Sequence, residues 1–188
     1  MNKILIFVGI ILGFIRYDLS AQEKWSLKEV PNLGFRTEFP GEPQETAQNL
    51  NTDVGAVTMF VFQYDATNIP NSENLVYMIN VTDYPDSSVN SDKADILPGF
   101  YKGAIEGANK NVQGQIESEN DIHLGEYPGK EFKISLQQGL ATIHSRMFLV
   151  KNRLYLILVI CETKNDNNIT MTRFFNAFEL MNIKKNIN

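Results

Sequence analysis

The stretch Arg153-Leu154-Tyr155-Leu156-Ile157-Leu158-Val159-Ile160-Cys161-Glu162 decides the fold. Side chains alternate along a strand, so Leu154, Leu156, Leu158 and Ile160 line one face while Tyr155, Ile157, Val159 and Cys161 line the other. Both faces are apolar, and such a strand has to be covered on both sides. Just before it, Lys151-Asn152 reads as a tight turn, with Asn152 suited to positive φ, and residues 141–150 read as the antiparallel partner strand.

Working outward, residues 113–124 and 129–136 continue the strand pattern upstream of this hairpin. Residues 25–30, 35–39, 56–64 and 74–84 do the same near the front of the chain, where Pro31-Asn32-Leu33-Gly34 and Pro40-Gly41-Glu42-Pro43 provide breaks. The period changes over residues 91–109. Ile96, Phe100, Ala104 and Ala108 recur every four residues, which predicts an amphipathic helix with Ser91 or Asp92 as cap and Pro98 in its first turn or at a kink. Gly99, Gly103 and Gly107 share that spacing; they predict a smooth stripe packed close to the sheet or a helix of mediocre stability. Residues 168–181 place Met171, Phe174, Phe175, Phe178 and Leu180 at helical spacing. The expected fold class is α+β, a central antiparallel sheet covered by helices on both faces, an α/β/α sandwich. The aromatics Phe35, Phe39, Phe60, Phe62, Tyr64, Tyr77 and Tyr84 fit its core or a hydrophobic pocket.

The chain has 188 residues, 43% hydrophobic and 21% charged, with one cysteine and no repeat or low-complexity linker. These proportions exclude disordered, collagen-like, disulfide-rich and multi-span membrane classes. At the front, Lys3 precedes the apolar run 4–15, which is shorter than the about 20 residues needed to span a bilayer and fits a secretory signal peptide. Leu19-Ser20-Ala21 places the cut after Ala21, leaving one domain over 22–188; an uncleaved anchor, stopped at Arg16, is the competing reading. Export and a periplasmic or extracellular location follow as the expectation, with no stable membrane span after cleavage. Cleavage removes Lys3, Arg16 and Asp18 and makes the formal charge of −5 more negative still. An acidic chain disfavours nucleic acid and anionic membrane surfaces.

Several short motifs carry a family likeness. Gly34-Phe35-Arg36-Thr37-Glu38-Phe39-Pro40-Gly41-Glu42-Pro43 resembles the opening of exported bacterial PsbP-like proteins, and Gly125-Glu126-Tyr127-Pro128-Gly129-Lys130-Glu131-Phe132 resembles their G-x-x-G-x-E lead into a strand. Arg146 with Asn152-Arg153-Leu154-Tyr155-Leu156 is similar to the late hairpin of that group. Phe174-Phe175-Asn176-Ala177-Phe178-Glu179-Leu180 is similar to its closing helix, with Ala177 where Ser is usual. The resemblance implies a fold shared with a photosystem II extrinsic subunit and a Ran-binding regulator, on proteins that mainly bind or assist assembly. It brings no catalytic residues to transfer.

The metal candidates are Glu117, Glu119, Asp121 and His123, which share one strand face; their bland explanation is the wet side of an amphipathic strand, and ligands 6–7 Å apart along a strand need help from another element to meet at one ion. His144 and Arg146 share a face with Thr142 and Phe148 and are the candidate ligand-binding residues. No motif names a nucleophile, a cofactor or a catalytic residue. Cys161 is expected to be a small buried hydrophobe. Asn80 and Asn168 head matches to the glycosylation pattern, which are commonly accidental in a bacterial exported protein. The expected function is therefore a non-catalytic exported binding or accessory protein of the bacterial envelope, holding an unknown protein or small ligand. The alternatives are an enzyme with an unrecognised polar site near His144 and Arg146, or a structural component of an envelope assembly. Convergence of His144 with a carboxylate in a pocket would favour the enzyme; a large exposed apolar patch would favour a protein partner.

Overall fold

The computed structural model describes residues 24–52 and 55–181, so the expected signal peptide, 1–21, lies outside the described residues. The elements are β1 (Ser26–Val30), β2 (Phe35–Phe39), β3 (Gln44–Thr52), β4 (Gly55–Asp65), β5 (Asn74–Asp83), α1 (Leu97–Val112), β6 (Gln115–Leu124), β7 (Tyr127–Leu136), β8 (Ala141–Val150), β9 (Arg153–Glu162), α2 (Ile169–Ala177) and β10 (Glu179–Leu180). Strands β3 to β9 form one antiparallel sheet in the order β3-β4-β5-β9-β8-β7-β6, and β1-β2-β10 form a second. The hairpin β8–β9 forms over the expected residues. Its positive φ of 55° falls on Lys151, however, and not on Asn152, whose side chain instead donates to Tyr84 O at 2.7 Å.

Both faces of β9 are covered, but helices do not supply both covers. On the Leu154 face, Tyr101 and Ile105 of α1 pack with Phe132, Ile134 and Met147. Tyr101 OH donates to Pro128 O at 2.6 Å and accepts from Leu149 N at 2.9 Å, which anchors α1 over β7 and β8. Leu156, Leu158 and Ile160, farther along that face, are only half-buried. The Tyr155 face is covered jointly by the three-stranded sheet and α2, with Phe35 and Phe39 of β2 packed among Tyr77, Phe174 and Phe178. The expected helix–sheet–helix sandwich is thus corrected to a mainly β fold with two sheets and, among the described residues, two α-helices. The reason is one of size. A nine-residue helix is about 14 Å long, whereas seven strands span about 29 Å. The one-sided strand β2, with Phe35, Thr37 and Phe39 inward, fills the remainder.

Local differences have local causes. Helix α1 begins at Leu97 because Ser91 and Asp92 are used elsewhere: Ser91 Oγ accepts from Lys151 N at 2.9 Å and Asp92 pairs with Lys151 Nζ at 2.8 Å. Its glycines face away from the sheet, since a Cβ added at Gly99, Gly103 or Gly107 would meet nothing within 4 Å. The close-packed stripe is therefore overturned in favour of a mediocre helix. Helix α2 is capped by Asn168, whose side chain accepts from Met171 N at 2.8 Å, and it stops at Ala177 so that Glu179–Leu180 can pair with Arg36 and Phe35. No helix among the described residues is long and apolar enough to cross a membrane.

Candidate functional site

Thr142, His144, Arg146 and Phe148 of β8 do share one face, the one beneath α2. The register sets their neighbours: Lys133 and Val159 flank His144, Glu131 and Ile157 flank Arg146, and Gly129 and Tyr155 flank Phe148. Opposite residues in a ladder point to the same side, so β7 contributes a lysine, a glutamate and a glycine to a surface that β9 makes apolar.

Arg146 is fixed from three directions. Its Nε donates to Glu131 Oε2 at 2.6 Å and its Nη1 to Asn176 Oδ1 at 3.3 Å, while its Cζ lies 4.9 Å from the centre of the Phe175 ring. Beside it opens a cleft of about 540 Å³ between the sheet and the end of α2. Ile122, Leu124, Phe148 and Ile157 form the sheet wall, Phe175 and Phe178 the helix wall, and Arg146 and Asn176 supply the polar side chains. Gly129 helps shape the wall, because a Cβ there would lie 2.3 Å from Phe148 Cδ1 and 2.4 Å from Met147 O.

Next to the cleft, outside its lining, is a tighter polar group. His144 Nε2 sits against Asp166 Oδ1, and Lys133 Nζ donates to Asp166 Oδ2 at 2.5 Å. Burial pushes the His144 pKa below its ordinary value, against the pull of Asp166. For Asp166, burial pushes upward, but Lys133 and His144 together outweigh it and hold the carboxyl below its usual range. Cys161 lies in contact range of the pair, with the donor atoms of His144, Cys161 and Asp166 all within 4.8 Å of one another. Its thiol is fully buried and its pKa is pushed up to about 11 by burial. A divalent ion placed here would have to displace that thiol proton and share Asp166 with Lys133.

The four metal candidates from β6 do not converge. Glu117 falls at a bulge between Ile116 and Ser118 and is exposed; Lys130 holds Glu119 at 2.7 Å and Asp121 at 2.8 Å. Those two contacts supply the opposite charge that a cation would have supplied. The His123 side chain stays on the Asp121 face, the α1 side of the sheet, while its neighbours Ile122 and Leu124 face the cleft. The aromatics Phe35, Phe39, Phe62 and Tyr77 are core residues. Sequence reading missed Asp166, Lys133, Glu131 and Asn176, which join the site only through the β7–β8 register and the fold-back of α2. The signal available was limited to the alternation of Glu131 and Lys133 along one strand face.

No family model matches the chain, and no curated protein matches it in sequence. Among solved structures it is similar to the solution structure of cyanobacterial PsbP from Synechocystis sp. PCC 6803, with TM-score 0.54 and 8% identity over 84% of this chain and 93% of that one. It is also similar to a crystal structure from Bacteroides thetaiotaomicron, with TM-score 0.45 and 11% identity over 85% of this chain and 48% of that one. A Pseudomonas aeruginosa protein of unknown function follows at TM-score 0.35 and 9% identity, over 75% of this chain and 85% of that one. The first of these likenesses establishes that the chain has a PsbP-like fold, and at 8% identity it concerns the fold alone.

Proposed function

We propose that the chain is a non-catalytic, exported binding protein of the bacterial envelope that holds a ligand between the seven-stranded sheet and α2. The observation that carries the reading is the cleft of about 540 Å³, a volume in the range of small-molecule sites, apolar on both walls and furnished with two polar side chains, Arg146 and Asn176. Export rests on the apolar run 4–15 and the cut after Ala21. Membership of the exported PsbP-like group rests on the short motifs, to which the fold likeness adds support.

A second reading, an enzyme, is favoured by the convergence of His144 and Asp166 with Cys161 nearby. Against it, the thiol is protonated and sealed, whereas a nucleophile needs the thiolate and access. The test is a small-molecule panel read by melting temperature and by native mass spectrometry of protein taken from its producing cells. Wild type should carry or be stabilised by a small molecule, and Asn176→Trp, an exposed substitution that fills the cleft mouth, should abolish this. Stabilisation that survives Asn176→Trp, or none across the panel, would refute the reading. An amino terminus at Gln22 in exported protein checks the location.

A further inference from the structure

We infer that the cleft selects an anionic amphiphile, a molecule with an apolar body and a carboxylate-like head that docks on Arg146. This inference rests on the cleft being a ligand site at all. What singles out the ligand class is the imbalance of its polar lining. Arg146 is a permanent cation that can only donate, and Asn176, whose carbonyl oxygen accepts from Arg146 Nη1, keeps its amide N–H groups as donors. Among the described residues no carboxylate lines the cleft. Glu131, which neutralises part of the guanidinium charge, is bound at Nε; among the described residues Nη2 has no hydrogen-bond partner. Nη2 is thus the donor left to receive the oxygen of an anionic head in a charge-assisted hydrogen bond.

The surroundings reinforce the selection. The chain has a formal charge of −5, so anions are repelled from most of the surface while this one cationic group sits between apolar walls. Phe175 under the guanidinium fixes its plane, so little side-chain freedom is lost when the head docks. The six apolar lining residues then take the body. A neutral amphiphile would bring Nη2 no anionic acceptor in a site partly withdrawn from water, and a cationic one would be repelled by the guanidinium.

The test uses dodecanoate, dodecanol and dodecylammonium as probes, titrated calorimetrically at equal concentration against the exported chain. Dodecanoate should bind at least about tenfold more tightly than dodecanol, the effect of one charge-assisted hydrogen bond, and dodecylammonium should not compete with it. The double variant Arg146→Gln with Glu131→Gln removes the cation without stranding the carboxylate; it should lose about tenfold or more for dodecanoate while binding dodecanol as wild type does. Equal binding of dodecanoate and dodecanol, or an unchanged dodecanoate affinity in the double variant, overturns the ligand class while leaving the cleft a ligand site. Absence of binding by all three probes overturns the ligand class too, and the small-molecule panel with Asn176→Trp then decides separately whether the cleft binds anything. The comparison among probes on wild type stands whatever the variant does to folding.

Discussion

Gly103→Ala should make the protein more stable. Gly103 lies inside α1 on the side opposite Tyr101 and Ile105, and an added Cβ would meet nothing within 4 Å. With no steric cost, the substitution acts on backbone entropy. Glycine in a helix interior is about 1 kcal/mol worse than alanine, largely because the unfolded glycine backbone has more conformations to lose. Gly107→Ala has the same open surroundings and should add about as much, whereas Gly99, in the first turn, should give less. The 103 and 107 double variant should therefore gain about 2 kcal/mol, which for a domain of this size is roughly a 4–8 °C rise in melting temperature. Urea unfolding followed by far-ultraviolet circular dichroism should show the midpoint moving up with an unchanged slope. A loss of stability in either single variant would refute the reasoning, since it would mean that something is seated against this helix face.

Three further outcomes follow from the site. Gly129→Ala should destabilise by about 1–3 kcal/mol in urea unfolding, the usual cost of overpacking, because its Cβ would collide with Phe148 and with Met147 O. Cys161 should react with iodoacetamide at pH 8 about a hundredfold more slowly in the native protein than in urea, the suppression expected when burial keeps the thiol protonated. Comparable rates in the two conditions would revive the enzyme reading. The third outcome concerns His144, whose native pKa is depressed, so that below about 6.5 the unfolded chain takes up the proton more readily than the folded one. Its contribution is present above that value and is lost as pH falls toward the native pKa. The drop in stability between pH 7.5 and 5.5 should be smaller in His144→Gln than in wild type; an equal drop would show that His144 is not the group responsible.

Much of the sheet was legible because its inner strands alternate or are apolar throughout. Phe35–Phe39, Ala141–Val150 and Arg153–Glu162 occur where the side-chain pattern places them. β3 was not legible, since Gln44-Glu45-Thr46-Ala47-Gln48-Asn49-Leu50 has no apolar face to bury: it is an edge strand held by its ladder to β4. The second cover was misread because an apolar stripe in residues 168–181 says that a helix docks, without saying how much area it can hide. His144 and Arg146 could be placed on a common face from their spacing alone. Their partners could not, because Asp166 and Asn176 are distant in sequence and arrive through a turn and a helix whose direction no local pattern encodes.

The order β3-β4-β5-β9-β8-β7-β6 divides the large sheet into two meanders, each continuous in sequence, joined along one ladder between β5 and β9. Every other ladder in that sheet connects consecutive strands and can form by local hairpin closure. The β5–β9 seam pairs Asp83 with Arg153 and Asn74 with Cys161, and it closes a loop that contains α1 and the strands β6 to β8. Contacts between sequence-distant residues incur the loop-closure entropy before the packing on either side can repay it. The seam is therefore expected to close late in folding, and the fully buried flank of β9 that it completes is the floor on which the cleft rests.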